Sequence, residues 1–159
     1  MAAMNPLENY DRAAAAVTEI IARVRTDQLP LPTACTQWDV RAVINHLAQG
    51  NARTVGWAGG AVPPEDEDFL GEDIQASFAE SVHRTRAALS EPGLFEREVT
   101  TPIGTAPGIL LVHMRVTEFL VHGWDIADAT GQSTDIEPEL VEQAMADRLA
   151  AFLGRQPVG

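Results

Sequence analysis

The chain has a single cysteine, Cys35, in 159 residues. An intramolecular disulfide is therefore excluded, which suits a reducing compartment and makes cytoplasmic the default location. No apolar run approaches the roughly 20 residues that span a bilayer. The opening stretch MAAMNPLENYDRAAAAV has no basic segment ahead of an apolar core, so it does not read as a signal peptide. Positive charge is scarce, with 11 basic residues against 23 acidic and a formal net of −12. A surface that acidic repels phosphate, so neither nucleic acid nor an anionic membrane is expected as a partner. What remains is ordinary globular composition, 45% hydrophobic and 21% charged. The length fits one domain over 1–159, large enough to bury a core without staples.

Five helices are predicted, and the class is all-α. Asn5-Pro6 opens the first, as cap and first-turn proline. Leu7, Tyr10, Ala14, Val17, Ile21 and Val24 then recur at three- and four-residue steps, a seam for packing against other helices. Asp39 caps the second helix, with Trp38 as a hydrophobic staple onto Val43. It runs to about Trp57 and stops at Gly59-Gly60. Residues 58–70 form a loop rich in Gly, Pro and acid, whose acidic part at 65–68 reads as solvated. The third helix covers roughly 70–90 and turns Ile74, Phe78, Val82 and Leu89 inward. A long connection follows, in which GLFEREVTTPI carries only a faint strand signal. Its length lets the fourth helix cross the bundle. That helix runs from near Ile109 to about Thr130, with Gly131 to cap it. The fifth covers about 137–153, with Leu140, Met145, Leu149 and Phe152 as its inner face. Cys35 reads as a small buried apolar residue, and Trp38 and Trp124 as core or staple residues.

The fourth helix carries the chemistry. It is apolar on most sides, yet Arg115, Glu118, His122 and Asp125 fall within one narrow stripe when projected at about 100° per residue. Glu118 and His122 stack one turn apart. Two ligands on one helix and a third from a facing helix is how a bundle core makes a metal site. His46 lies at matching depth on the second helix, and Gly50 one turn later leaves space beside it. His113 projects to the opposite side of its helix, and His83 sits among Glu80, Arg84 and Arg86 as a surface residue. The stripe also fits a solvated face laced with ion pairs, and His46 a half-exposed shoulder residue. Pattern alone does not separate these readings, although Leu111, Met114 and Val121 in or beside the stripe speak against free solvent.

CTQWDVRAVINHLAQGN, EFLVHGWDIADATGQ and ADRLAAFLGRQP, in that order, resemble the metal-binding domain of the mycothiol-dependent maleylpyruvate isomerase family, within the DinB/YfiT-like superfamily. The likeness covers nearly the whole chain. It implies a DinB-like four-helix bundle of up-down-down-up topology, here with an additional C-terminal helix. It implies a divalent metal, usually zinc, held by His46, Glu118 and His122, with Asp125 one turn beyond. It also implies mycothiol, a bacterial thiol, as co-substrate. Two departures stand out. EPELVEQAMADRLAAFLGRQP runs straight through where family members carry a longer stretch, so the chain is either shortened or lacks a segment near 145. The isomerase's further C-terminal domain has no counterpart here.

Three protein ligands leave a fourth position open on a tetrahedral ion, as catalytic sites do. A thiol bound there becomes a nucleophile near neutral pH. The expected function is thus a thiol-dependent S-transferase or isomerase acting on an electrophilic or carboxylate substrate. In it Asp125 orients a ligand or handles a proton, and Arg115 pairs with acidic residues or holds a substrate carboxylate. The rivals are a metal- or small-molecule-binding bundle without turnover, and a structural bundle without metal. Zinc and nickel both suit these ligands. Such bundles often pair through a helix face, so a homodimer is among the expectations.

Overall fold

The computed structural model describes the backbone of residues 5–152 and the side chains of 5–146. Five α-helices are present: α1 (Pro6–Ala22), α2 (Val40–Gly59), α3 (Ile74–Leu89), α4 (Ile109–Ala129) and α5 (Pro138–Phe152). Each of α1 and α2 packs chiefly against α3 and α4, and α5 lies against α4. The result is a four-helix bundle with an added C-terminal helix. Among the described residues, no helix is long and apolar enough to cross a membrane.

Local chemistry sets the helix starts. Asn5, Asp39 and Asp73 cap α1, α2 and α3, their side chains accepting from the backbone N–H of Leu7, Ala42 and Ala76 at 2.9, 2.8 and 3.1 Å. The last of these places the start of α3 at Ile74, four residues later than the pattern suggested. Gly71, at φ 60°, keeps the preceding chain out of the helix. At the end of α4, Gly131 takes φ 70°, and the N–H of Gln132 reaches back to the carbonyl of Ala127 at 2.9 Å. That is the glycine-dependent cap expected there.

The core runs along the predicted seams. Tyr10, Phe78 and Phe119 are fully buried at its centre, with the Phe119 ring 5.6 Å from Tyr10 and 6.4 Å from Phe78. The Tyr10 hydroxyl donates to the carbonyl of Val82 at 3.0 Å, which satisfies its one polar group. On α5 the inward residues are Leu140, Val141 and Ala144, whereas Met145 is 67% exposed. The inner face is thus rotated from the expected one. The side chains of Leu149 and Phe152 lie outside the described residues.

One element departs from the all-helical expectation. In the connection before α4, β1 (Glu98–Thr101) and β2 (Gly104–Pro107) form an antiparallel hairpin. Only Val99 and Thr101 of β1 turn inward, so the alternation spans four residues and barely registers in sequence. The hairpin fixes where α4 begins, because the N–H of Gly108 donates to the carbonyl of Arg97 at 2.8 Å.

Phe78→Ala should destabilise the protein by about 3–5 kcal/mol, the usual cost of deleting a buried aromatic side chain. Denaturant unfolding of the chelator-treated protein measures this. A loss below about 1 kcal/mol would mean that this aromatic centre does not hold the bundle together.

Candidate metal centre

Three faces of α2 do different work, each repeating at helical spacing. Val43, Ile44, Leu47, Ala48 and Asn51 are buried in the bundle. Arg41, Asn45, Gln49 and Arg53 form a second stripe, which grips the loop before α3. Arg41 pairs with Asp68 at 3.2 Å. The side-chain amides of Asn45 and Gln49 donate to the carbonyls of Glu67 and Glu65, and Arg53 donates to that of Pro63. The acidic loop, solvated at 65–68 as expected, is in addition tied down along its backbone. His46 and Gly50 make the third face, turned toward α4.

There the predicted residues meet. Glu118 Oε2 lies 2.9 Å from His46 Nε2 and 3.4 Å from His122 Nε2. One ligand atom from each of the three side chains lies within 4.8 Å of the others, a spacing that could hold one metal ion. His122 Nδ1 stands 2.9 Å from Asp125 Oδ2. An ionised carboxylate has no proton to give, so Nδ1–H donates and Nε2 is left facing Glu118. A histidine held by a carboxylate in this way is the usual support of a metal ligand.

His46 and Glu118 are about one-third exposed, at 32% and 33% of their side chains, whereas His122 and Asp125 are at 12%. The site thus has a wet and a dry side. Its wet side opens on a cleft of about 890 Å³ that His46, Glu118 and Arg115 line, with the hairpin tip at Pro102 and Ile103 and the acidic loop at its rim. Trp38, read in sequence as a core or staple residue, stacks on His46 with ring centroids 4.6 Å apart and reaches His122 at 6.0 Å. Trp124 is exposed rather than core. His113 is exposed and lines the same cleft without joining the triad, and His83 is at the surface. Cys35 is half-buried.

Arg115 does not pair with the acidic residues. It is 4% exposed, and its Nε and Nη1 are buried with no hydrogen-bond partner. Its guanidinium stands 6.0 Å over the Phe119 ring and fills the space beside Gly50. A Cβ at Gly50 would lie 2.3 Å from Nη1. The room that Gly50 leaves thus serves Arg115. A glycine inside a helix costs about 1 kcal/mol against alanine, which this close approach explains.

The charges are coupled. Burial pushes the Glu118 pKa up, but hydrogen bonds from His122 and His46 and the charge of Arg115 outweigh it, leaving the carboxyl far below its ordinary value of 4.5. Burial pushes His122 down, but the hydrogen bond and charge of Glu118, then those of Asp125, hold it above its ordinary 6.5. Glu118 thus adds stability that is present above pH 4.5 and lost as pH falls through its depressed folded pKa. His122 adds stability that is present below pH 6.5 and lost as pH rises through its raised folded pKa. With metal chelated, Tm should peak between these two limits and decline above about pH 6.5. Glu118→Gln should flatten the alkaline decline, and an unaltered pH profile in that variant would contradict the coupling.

The chain matches the family model described as the mycothiol maleylpyruvate isomerase N-terminal domain over residues 10–127. It is 36% identical over 183 aligned residues to two Mycobacterium tuberculosis proteins, Uncharacterized protein MT0763 and Uncharacterized protein Rv0738, with 96% of this chain and 98% of each relative covered. That alignment is longer than the 159 residues of this chain, so the relatives carry inserted residues that it lacks. The crystal structure of the mycothiol-dependent maleylpyruvate isomerase matches with a TM-score of 0.72 at 19% identity, over 95% of this chain and 72% of that one. The structure of a histidine-to-alanine mutant of that isomerase matches at 0.71. The fold is the expected DinB-like bundle. With the family model spanning most of its length and both helices of the triad, this chain belongs to the mycothiol maleylpyruvate isomerase N-terminal domain family.

Proposed function

We propose that residues 1–159 form one metal-binding unit that uses a divalent ion to activate a thiol, in an S-transferase or isomerase reaction with a small electrophile. The observation that carries this reading is the convergence of two imidazole nitrogens and one carboxylate oxygen at the edge of a cleft. Nitrogen and oxygen donors of this kind suit zinc, and also nickel or another divalent ion. His46, Glu118 and His122 would hold it, leaving a position free on the cleft side. A metal so held lowers the pKa of a bound thiol, making it a thiolate near neutral pH.

The chain's own groups prepare that position. Asp125 fixes the ring and tautomer of His122, so that Nε2 points to the site. Trp38 covers the His46 ring and limits its rotation. The tied-down acidic loop gives the cleft a fixed wall, which orients a substrate better than a mobile one. The family match supports mycothiol as the thiol and a small molecule as its partner. A cytoplasmic setting agrees with one unpaired, half-buried Cys35.

Purified without a histidine tag, the wild-type chain should carry about one divalent ion per molecule by mass spectrometry. His46→Ala and His122→Ala should lose most of it, and Asp125→Asn should weaken affinity about 10- to 100-fold while leaving the triad in place. Transfer from mycothiol to a panel of electrophiles should fall to background in both histidine variants. Unchanged metal stoichiometry in both would refute the site. Full metal with no rate above background in the wild type would favour a binding protein without turnover.

A further inference from the structure

The cleft holds a cation that no described residue neutralises at contact distance. Among the described residues, Arg115 makes no ion pair and no hydrogen bond, although it is almost fully buried. Guanidinium groups do not give up their proton in proteins, so this is a permanent charge. Glu118 acts on it only through space, and its carboxylate is already engaged by His46 and His122. Asp125 is committed to His122. The Phe119 ring explains why the flat group packs there. It does not explain why an arginine stands where methionine or leucine would pack without orphaned donors. Gly50 gives up its side chain so that the guanidinium reaches this place.

We propose that Arg115 is an anion-binding residue of the cleft, receiving a carboxylate of the small-molecule substrate beside His46 and Glu118. Nη2 is the guanidinium nitrogen that is not enclosed, and from the cleft wall it can donate a charge-assisted hydrogen bond to a carboxylate oxygen. A doubly charged phosphate fits less well, because Glu118, Glu65 and Asp66 line the same cleft and the whole chain is acidic. This assignment rests on the proposed triad for its place in the reaction, but not for the binding itself. With one carboxylate anchored one helical turn from Glu118, the substrate's reacting carbon is held near the thiol's position and does not have to find it.

The test is an NMR titration of the ¹⁵N-labelled full-length chain with sodium propionate, propionamide and inorganic phosphate at matched ionic strength. It is run on chelator-treated and on metal-loaded protein. In chelated wild type, propionate should bind at least about tenfold more tightly than its neutral isostere, the margin of a charge-assisted bond. Arg115→Met should abolish that preference while keeping wild-type metal content and a Tm no lower than wild type. Persistence of the preference in Arg115→Met would overturn the proposal. So would a marked drop in Tm for Arg115→Met with binding retained, since that marks a structural arginine. Tighter binding of phosphate than propionate would overturn the carboxylate assignment. A wild-type chain that takes up no metal would refute the triad and leave the propionate result standing, so the two failures are distinguishable.

Discussion

One carboxylate oxygen, Glu118 Oε2, lies between two imidazole nitrogens from different helices. This arrangement fixes more than three side chains. It requires α2 and α4 to lie side by side with His46 and Glu118 at the same height. It requires His122 one turn above Glu118 and Asp125 a further turn on. The core supplies that register: Ile44 and Leu47 flank His46 in sequence and are fully buried, as is Phe119 next to Glu118. A slip of one turn along either helix moves the partner about 5.4 Å and separates the groups. The apolar packing and the polar site are therefore the same constraint, read from two faces of each helix.

The fold was legible because its signals are strong and local. Asn5-Pro6, Asp39 and Gly131 mark helix ends by chemistry that acts within a few residues. The seams of α1 to α4 repeat often enough to show their faces. The triad was legible as a pattern only in half. Glu118 and His122 share a helix, so spacing places them together. His46 had to be matched by depth, and the family blocks supplied what geometry left open. Trp38 was missed because a residue just before a helix cap has a ready role as a staple. Its stacking on His46 depends on how the 31–39 segment is folded, which no periodicity reports.

The loop grip was missed for a different reason, since its signal was present. Arg41, Asn45, Gln49 and Arg53 stand four residues apart on a helix whose apolar face is already accounted for. A polar stripe that regular deserved a partner, and its partners are backbone carbonyls of a loop whose own side chains are acidic. Acidic composition places the side chains of 65–68 in solvent, as they are, whereas the peptide groups decide how the loop is held. The hairpin and the rotated face of α5 escaped because four residues of alternation and one misplaced methionine fall below what a pattern can resolve.

The polar groups around the triad differ in how completely the protein satisfies them, and the difference follows their proposed roles. Thr85 and the Tyr10 hydroxyl are buried and bonded to backbone carbonyls. His122 and Asp125 are bonded to each other. Each of these groups holds its neighbours in place, and His122 keeps only Nε2 for the site. Among the described residues, Arg115 is the one buried charge that keeps donors without acceptors, and it does so where the cleft meets α4. Burying an unpaired charge opposes folding, and a bundle of this length can bear one such cost. A sequence selected only for stability has apolar alternatives at that position and a helix-favouring alanine at Gly50. The pairing of a destabilising arginine with a destabilising glycine is hard to account for by packing, and it follows directly if an anion completes the site.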